Sequence, residues 1–257
     1  MKIATYNVNG IRSRLPVLLK WLAESAPDIA CLQELKAPQD AFPLDEIKAS
    51  GYEALWKGQK SWNGVAILAK KHLAITERKN ELPGDTDDEQ SRYLEAEVSG
   101  IIIGCIYLPN GNPFPGPKFE YKLSWMSRLH KHASELLEQD KPVILTGDFN
   151  VIPEEMDVYN PERVKDDALF QPESRNAFQD ILNLGFTDTL RNLFPEEKIY
   201  TYWDYFRNAY NRNSGMRIDH FLVNSLTLPG VKSGGVDKHV RGWEKTSDHA
   251  PVWIEVE

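Results

Sequence analysis

Asp148 and Asn150 stand two residues apart at the end of Val143-Ile144-Leu145-Thr146-Gly147-Asp148-Phe149-Asn150. The leading residues are apolar or β-prone, follow Pro142 and are too few for a helix, so they read as a buried strand. In an extended chain, residues i and i+2 point to the same side. A carboxylate and a carboxamide therefore face one point, a proton acceptor beside a neutral hydrogen-bond donor. Gly, Asp and Asn are also ordinary turn residues, and this stretch alone does not decide between a turn and a site. The other strand ends add weight to the site. Asn7 and Asn9 repeat the spacing after a strand at 2–8. Glu34 closes a strand at 28–34. Tyr107 and Asn110 lie where Pro109, which cannot donate in a central ladder, stops a strand at 101–108. Asp219 sits near the start of a strand at 217–223, and Asp248-His249 precede a last strand, Val252 to Val256.

Taken together, this polar set holds four carboxylates, four carboxamides, one histidine, one tyrosine and no cysteine nucleophile. Oxygen-rich sites suit a hard cation such as Mg²⁺ or Mn²⁺, whereas zinc favours more His and Cys. With one such cation, the natural reaction is attack of water on a phosphoryl centre. A carboxylate activates the water, and amide donors hold the developing oxyanion. An imidazole beside a carboxylate can be kept cationic toward a phosphate.

The elements that must position these groups are short strands with three or four helices among them. Leu15, Leu18, Leu19 and Leu22 make one apolar stripe over a helix at 15–25, stopped by Pro27. Strands are expected at 52–57, 64–69 and 93–98, the last pairing with 101–108 through Ser99-Gly100. Residues 70–79 are basic, and 81–90 read as an acidic surface loop. A long helix at 118–138 carries Phe119, Leu123, Met126, Leu129, Ala133, Leu136 and Leu137 near period 3.6. His130 and His132 lie on it at i, i+2 and cannot share a metal. Ser174 is expected to cap a helix that Gly185 ends. The pattern suits an α/β (α+β) domain with sheets packed face to face and helices outside.

Residues 199–217 are rich in aromatics, and from Tyr205 to Arg217 there are three arginines, three asparagines and no acid. That composition suits a loop that meets phosphates and stacks on bases or sugars. An aromatic patch closing the core would share part of it.

The 257 residues fit a single domain over 1–257, and 41% apolar and 26% charged residues are ordinary for a soluble protein. A net charge of −8 argues weakly against a nonspecific polyanion binder, because a basic face can coexist with an acidic remainder. No apolar run is long enough to cross a membrane. The N-terminal residues read as a strand rather than a signal peptide, so a cytoplasmic protein is expected; a monomer is expected as well. Cys31 and Cys105, in apolar strand-like runs, read as two buried thiols rather than a disulfide.

Six motifs in order, Asn7-Val8-Asn9-Gly10, Leu32-Gln33-Glu34, Tyr107-Leu108-Pro109-Asn110, Gly147-Asp148-Phe149-Asn150, Arg217-Ile218-Asp219 and Ser247-Asp248-His249-Ala250-Pro251, resemble the exonuclease III family of apurinic/apyrimidinic (AP) endonucleases along essentially the whole chain. The resemblance implies a four-layer αββα sandwich of two mixed β-sheets flanked by helices. It implies Mg²⁺-dependent cleavage of the phosphodiester 5′ to an abasic site in double-stranded DNA, leaving a 3′-hydroxyl, with Mn²⁺ able to substitute. Exonuclease, phosphatase and phosphodiesterase action on blocked 3′ ends is implied as well. By the same resemblance Glu34 is the main metal ligand, with Asn7 and Asp248 nearby directly or through water, and Asp148 and Asn150 beside the same ion. Asp148 is the general base, or the proton donor to the leaving oxygen. Asn150 positions water and transition state, Asp219 orients His249, and His249 faces the scissile phosphate. Tyr107 and Asn110 contact phosphate, and Tyr107 assists the leaving group. Tyr202, Met216 and Ile218 form a pocket for the flipped-out sugar, and Arg207 and Arg212 are substrate contacts on the loop. Two positions depart from some relatives: Asn9 stands where they carry an aspartate, and Met216 where they carry a tryptophan.

Other phosphoesterases with this core, of the sphingomyelinase, inositol phosphatase or deadenylase type, are the alternative. The arginine-asparagine loop and the short connecting loops weigh against them. A non-catalytic binding module would need a core residue replaced, and Glu34, Asp148, Asp219 and His249 are all present.

Overall fold

Two runs with the same alternation organise the molecule. In Lys2–Asn7 (β1) and Val143–Asp148 (β8), Ile3, Thr5 and Asn7 share one face, as do Ile144, Thr146 and Asp148. Ile3 and Ile144 are buried in the same apolar layer between two sheets, so both strands aim their last side chains into the space between those sheets.

The computed structural model describes residues 1–257. After β1 come α1 (Leu15–Ser25), β2 (Ile29–Gln33), α2 (Leu44–Ala49), β3 (Tyr52–Lys57) and β4 (Val65–Lys70). β5 (Ile75–Lys79), β6 (Tyr93–Val98), β7 (Ile101–Tyr107) and α3 (Pro117–Leu137) lead to β8. The chain ends through α4 (Pro172–Asn183), β9 (Phe186–Asp188), α5 (Thr189–Leu193), β10 (Asp219–Asn224), β11 (Val231–Val236) and β12 (Val252–Val256). One six-stranded sheet has the order β11-β12-β1-β2-β4-β3 and the other β5-β6-β7-β8-β10-β9. Each is mixed, with one parallel pair at its centre, β1 with β2 and β7 with β8.

Three apolar layers hold the stack. Ile3, Ile29, Ile67, Ile103, Phe221 and Ile254 pack between the sheets. Leu18, Trp21 and Leu22 of α1 cover the outer face of the first sheet. Trp125, Met126 and Leu129 of α3, with Phe178 and Ile181 of α4, cover Ile102, Val143 and Leu145 on the second. The result is the expected αββα sandwich. Truncating a fully buried residue such as Leu145 to alanine costs about 2–5 kcal/mol.

Taken from opposite ends, the two sheets match strand for strand: β1 corresponds to β8, β2 to β7 and β12 to β10, with the same parallel and antiparallel senses. This internal repeat is not visible as a repeat of letters. Gly147 permits the close approach of β8 to β7. Its φ is +148°, and a Cβ there would lie 1.9 Å from the Ile106 carbonyl oxygen.

Several local expectations need correction. There are five α-helices, because the short α2 and α5 lack a sequence long enough to display a period. Ser174 is not the cap of α4: the helix begins at Pro172, and the Ser174 hydroxyl donates to the Ala168 carbonyl. Part of the basic stretch 70–79 is the edge strand β5. His132, for which no role was expected, is buried with Nε2 2.7 Å from Glu95 Oε2.

Candidate active site

The site lies where β1, β2, β7 and β8 end and β10 and β12 are entered. Asn7 bridges the two sheets. Its Nδ2 donates to Glu34 Oε1 and to Asp148 Oδ2, both at 2.9 Å, while its oxygen accepts the Asn9 N–H. Asn7 is thus oriented as a donor to the carboxylates. On the other side, Asp219 is paired in register with Asp148 on the neighbouring strand. His249, entering β12 from the opposite sheet, donates Nδ1–H to Asp219 Oδ2 at 2.9 Å and turns Nε2 toward Asp148 Oδ2 at 3.7 Å. Glu34, Asp148 and His249 offer ligand atoms within 4.8 Å of one another.

Burial and these neighbours set the charges. Desolvation, reinforced by Asp219 and Glu34, pushes Asp148 up to about 7 against the opposing pull of His249. Burial alone would lower the His249 imidazolium, but Asp219 and Asp148 outweigh it and raise it to about 10. Desolvation would raise Glu34 too, yet Lys36 and the Asn7 donor hold it below its usual range. Lys36 Nζ sits 2.7 Å from Glu34 Oε2 and 2.6 Å from Asn9 Oδ1. Tyr107 donates to Glu34 Oε1 at 3.0 Å; burial first, then Glu34, keeps its phenol protonated far above neutrality.

Asn150 caps the exit of β8 in the left-handed region, φ +48°. Its N–H donates to Asp148 Oδ1 at 2.9 Å. Its side-chain Nδ2 donates to the Leu108 carbonyl, and its Oδ1 accepts from Asn110 Nδ2 at 3.1 Å. Asn110 in turn is steadied by Asn112, which donates from Nδ2 both to Asn110 Oδ1 and to Asp167. Asp248 is set apart from the bridged group. It is half-buried and accepts from Asn9 Nδ2 at 3.0 Å, so it reaches Glu34 only through Asn9 and Lys36.

Beside this floor, a cavity of about 580 Å³ is lined by Tyr159, Arg163, Tyr202, Arg207, Arg212 and Met216, among others. Tyr202 stands edge-on to the His249 ring, centroids 5.0 Å apart, and so joins cavity to floor. Ile218 does not line the cavity; it lies beneath, packed with Ile152 and Val158. The third arginine of the loop cannot meet a phosphate either. Arg217 is fully buried and held by Asp157 and Asp188, because a guanidinium there ties the start of β10 to two neighbouring segments.

Sequence reasoning missed Lys36, Arg14, Tyr205 and Lys122 as parts of the site. Tyr205 donates to the Thr246 carbonyl and accepts from Arg14 at 3.1 Å, pinning the aromatic loop to the first sheet. Lys122 had a signal: it falls on the apolar stripe of α3 at i+3 from Phe119 and i−4 from Met126, where a lysine needs a reason. Burial pulls its ammonium down to about 7, against Asp148 and Asp167.

A family model described as endonuclease/exonuclease/phosphatase family matches residues 4–249. DNA repair nuclease APEX1 of Danio rerio is 34% identical, over 99% of this chain and 81% of that protein. The AP endonuclease from Archaeoglobus fulgidus superposes with a TM-score of 0.95 at 36% identity, covering 100% of this chain and 99% of its own. The 3′-5′ exonuclease NExo from Neisseria meningitidis gives 0.95 at 39%, with 100% of both chains covered. NExo described as a 3′ phosphatase, bound to a product DNA hairpin, gives 0.94 at 38%, over 100% of this chain and 99% of that one.

Proposed function

As a member of the endonuclease/exonuclease/phosphatase family, the chain is a phosphoesterase by descent, and we propose that it is a DNA repair nuclease that hydrolyses the phosphodiester 5′ to an abasic site in duplex DNA. The product is a 3′-hydroxyl, and the same centre trims nucleotides and blocking groups from 3′ ends.

The arrangement that carries this reading is the line Asp219–His249–Asp148 beside Glu34. Asp148, with its pKa near 7, exchanges a proton at neutral pH, as a general base must. It takes the proton from the attacking water, and the Asn150 N–H fixes its carboxylate. His249 stays cationic through Asp219 and faces the incoming phosphate. Asn110 and Asn150 supply neutral donors for the developing charge, and the Tyr107 hydroxyl stands by the leaving oxygen.

Glu34 and Asp148 turn their carboxylates toward one point on the floor, and a divalent cation there would offset their repulsion of a phosphodiester. The donor set is oxygen-rich, which fits Mg²⁺ or Mn²⁺. Glu34 foremost, with Asp148 close by, would hold such an ion; the expectation of Asn7 and Asp248 as direct ligands is corrected, since Asn7 presents its NH2 to both carboxylates and Asp248 lies behind Asn9 and Lys36. When bound, it neutralises phosphate charge and acidifies water.

The cavity fits an extruded abasic sugar. Such a nucleotide has no base to unstack, so flipping it costs less than flipping an intact one. Arg207 and Arg212 at the mouth suit the flanking phosphates. The test is a labelled duplex with one central tetrahydrofuran residue, incubated with Mg²⁺ or EDTA beside an undamaged duplex. Incision just 5′ of the analogue, lost in EDTA, is expected. No cleavage of either duplex by folded protein with Mg²⁺ or Mn²⁺ would overturn the assignment.

A further inference from the structure

Lys122 is fully buried on the inner face of α3 and forms no ion pair. Its Nζ donates to two backbone carbonyls, Asn110 O at 3.1 Å and Asn150 O at 2.5 Å. Those carbonyls belong to the loops that leave the parallel strands β7 and β8, which carry Tyr107 and Asp148. The chain is shaped to admit this side chain. Gly111 has φ +92°, and a Cβ there would come within 2.7 Å of Lys122 Cδ. Asn150, at φ +48°, lies in the left-handed region, which asparagine tolerates.

A buried ammonium with no carboxylate is expensive. Packing between α3 and the second sheet would be better served by a methionine or leucine, as at Met126 and Leu129. What the lysine adds is a set of N–H donors shared by two loops. Those loops hold a continuous chain of hydrogen bonds: Asn110 Nδ2 donates to Asn150 Oδ1, and the Asn150 N–H donates to Asp148 Oδ1.

We propose that Lys122 is a positioning residue for hydrolysis: its Nζ fastens the peptide groups of Asn110 and Asn150 to the rigid helix α3, so that the two carboxamides and the Asp148 carboxylate keep their reactive orientation. It touches neither substrate nor reacting atoms. The kinetic part of this inference rests on the hydrolytic reading above; the structural part does not.

The test uses Lys122→Met, which keeps the aliphatic stem and removes the donors, with Lys122→Gln in reserve should the first variant not fold. Lys131→Met, on the exposed side of the same helix, is the control. On the tetrahydrofuran duplex, kcat of Lys122→Met should fall about 10- to 100-fold, less than losing a direct oxyanion donor, while KM holds and Lys131→Met behaves as the parent. Combined with Asn150→Ala, the loss should be much smaller than the product of the single losses, because both changes release the same hydrogen-bond chain. In nitrogen-15 spectra, the side-chain amide signals of Asn110 and Asn150 should shift or broaden in Lys122→Met and not in Lys131→Met. A folded Lys122 variant with parental kcat, or losses that multiply with Asn150→Ala, would overturn the proposal. If the parent cleaves no phosphodiester, the hydrolytic reading fails, and unmoved Asn110 and Asn150 amide signals would then reject the clamp by themselves.

Discussion

The floor of the site and its rim are built on opposite principles. Asn7, Asp148, Asp219 and His249 are buried, and side chains from both sheets fasten them to one another. The rim at 204–213 is mostly exposed. Phe206 keeps 74% of its surface free, Arg207 and Asn208 sit in the left-handed region, and Arg207 and Arg212 make no ion pair. A preorganised floor stabilises charge that appears only in the transition state. Unpaired arginines on an open loop are available to a polyanion, which exchanges its counterions for them. The floor should therefore govern the chemical step and the rim should govern binding.

The largest expected effect breaks the floor alone. Asp148→Asn should reduce the single-turnover rate by about 10²- to 10⁴-fold, the range for a lost general base, with little change in DNA affinity. Glu34→Ala comes next. We expect a loss of roughly 10- to 100-fold at low magnesium, recovered in part as Mg²⁺ or Mn²⁺ is raised; a deficit that ignores metal concentration would remove Glu34 from the ion. On the rim, replacing Arg207 and Arg212 by alanine should weaken binding and lower the slope of log K against log salt by about 1 for each arginine that meets a phosphate. An unchanged slope would place this loop outside the interface.

The smallest effect has the opposite sign. The folded state raises Asp148 from its ordinary 3.8 to about 7. Between those values this carboxyl binds more protons folded than unfolded, so its own contribution to stability falls as pH rises through that window. In EDTA, melting curves should show Asp148→Asn gaining on the parent from pH 4 upward and levelling off above about 7, a floor substitution that slows turnover yet firms the fold. A gain independent of pH would mean that Asp148 is not the strained group.

Most of the floor was legible because its residues sit at strand ends, where period 2 and a following turn leave a clear signature. Asn7, Glu34, Tyr107, Asp148, Asn150, Asp219 and His249 do converge. What escaped depends on long-range pairing that no local pattern encodes. The correspondence of the two sheets is one case, since it survives in topology and in Ile3-Thr5-Asn7 against Ile144-Thr146-Asp148, but not in the loops. Arg217 is another: its sequence neighbours suggest a phosphate contact, whereas Asp157 and Asp188, distant in sequence, close on it. Lys36 resembles any solvated lysine in the sequence, whereas Lys122 stands out on the apolar stripe of α3 but nothing local says which carbonyls it meets. Short elements such as α5 and β9 are too brief to show a period, although Asp188 caps α5 through the Arg191 N–H.

The separation of floor from rim is tested most directly by measuring, for Asp148→Asn and for the Arg207→Ala, Arg212→Ala pair, both the single-turnover rate at saturating enzyme and the dissociation constant for one abasic duplex. The account predicts that the first variant loses the rate and keeps the affinity, while the second keeps the rate and loses the affinity. If both variants lose the two quantities in the same proportion, floor and rim are not separate devices.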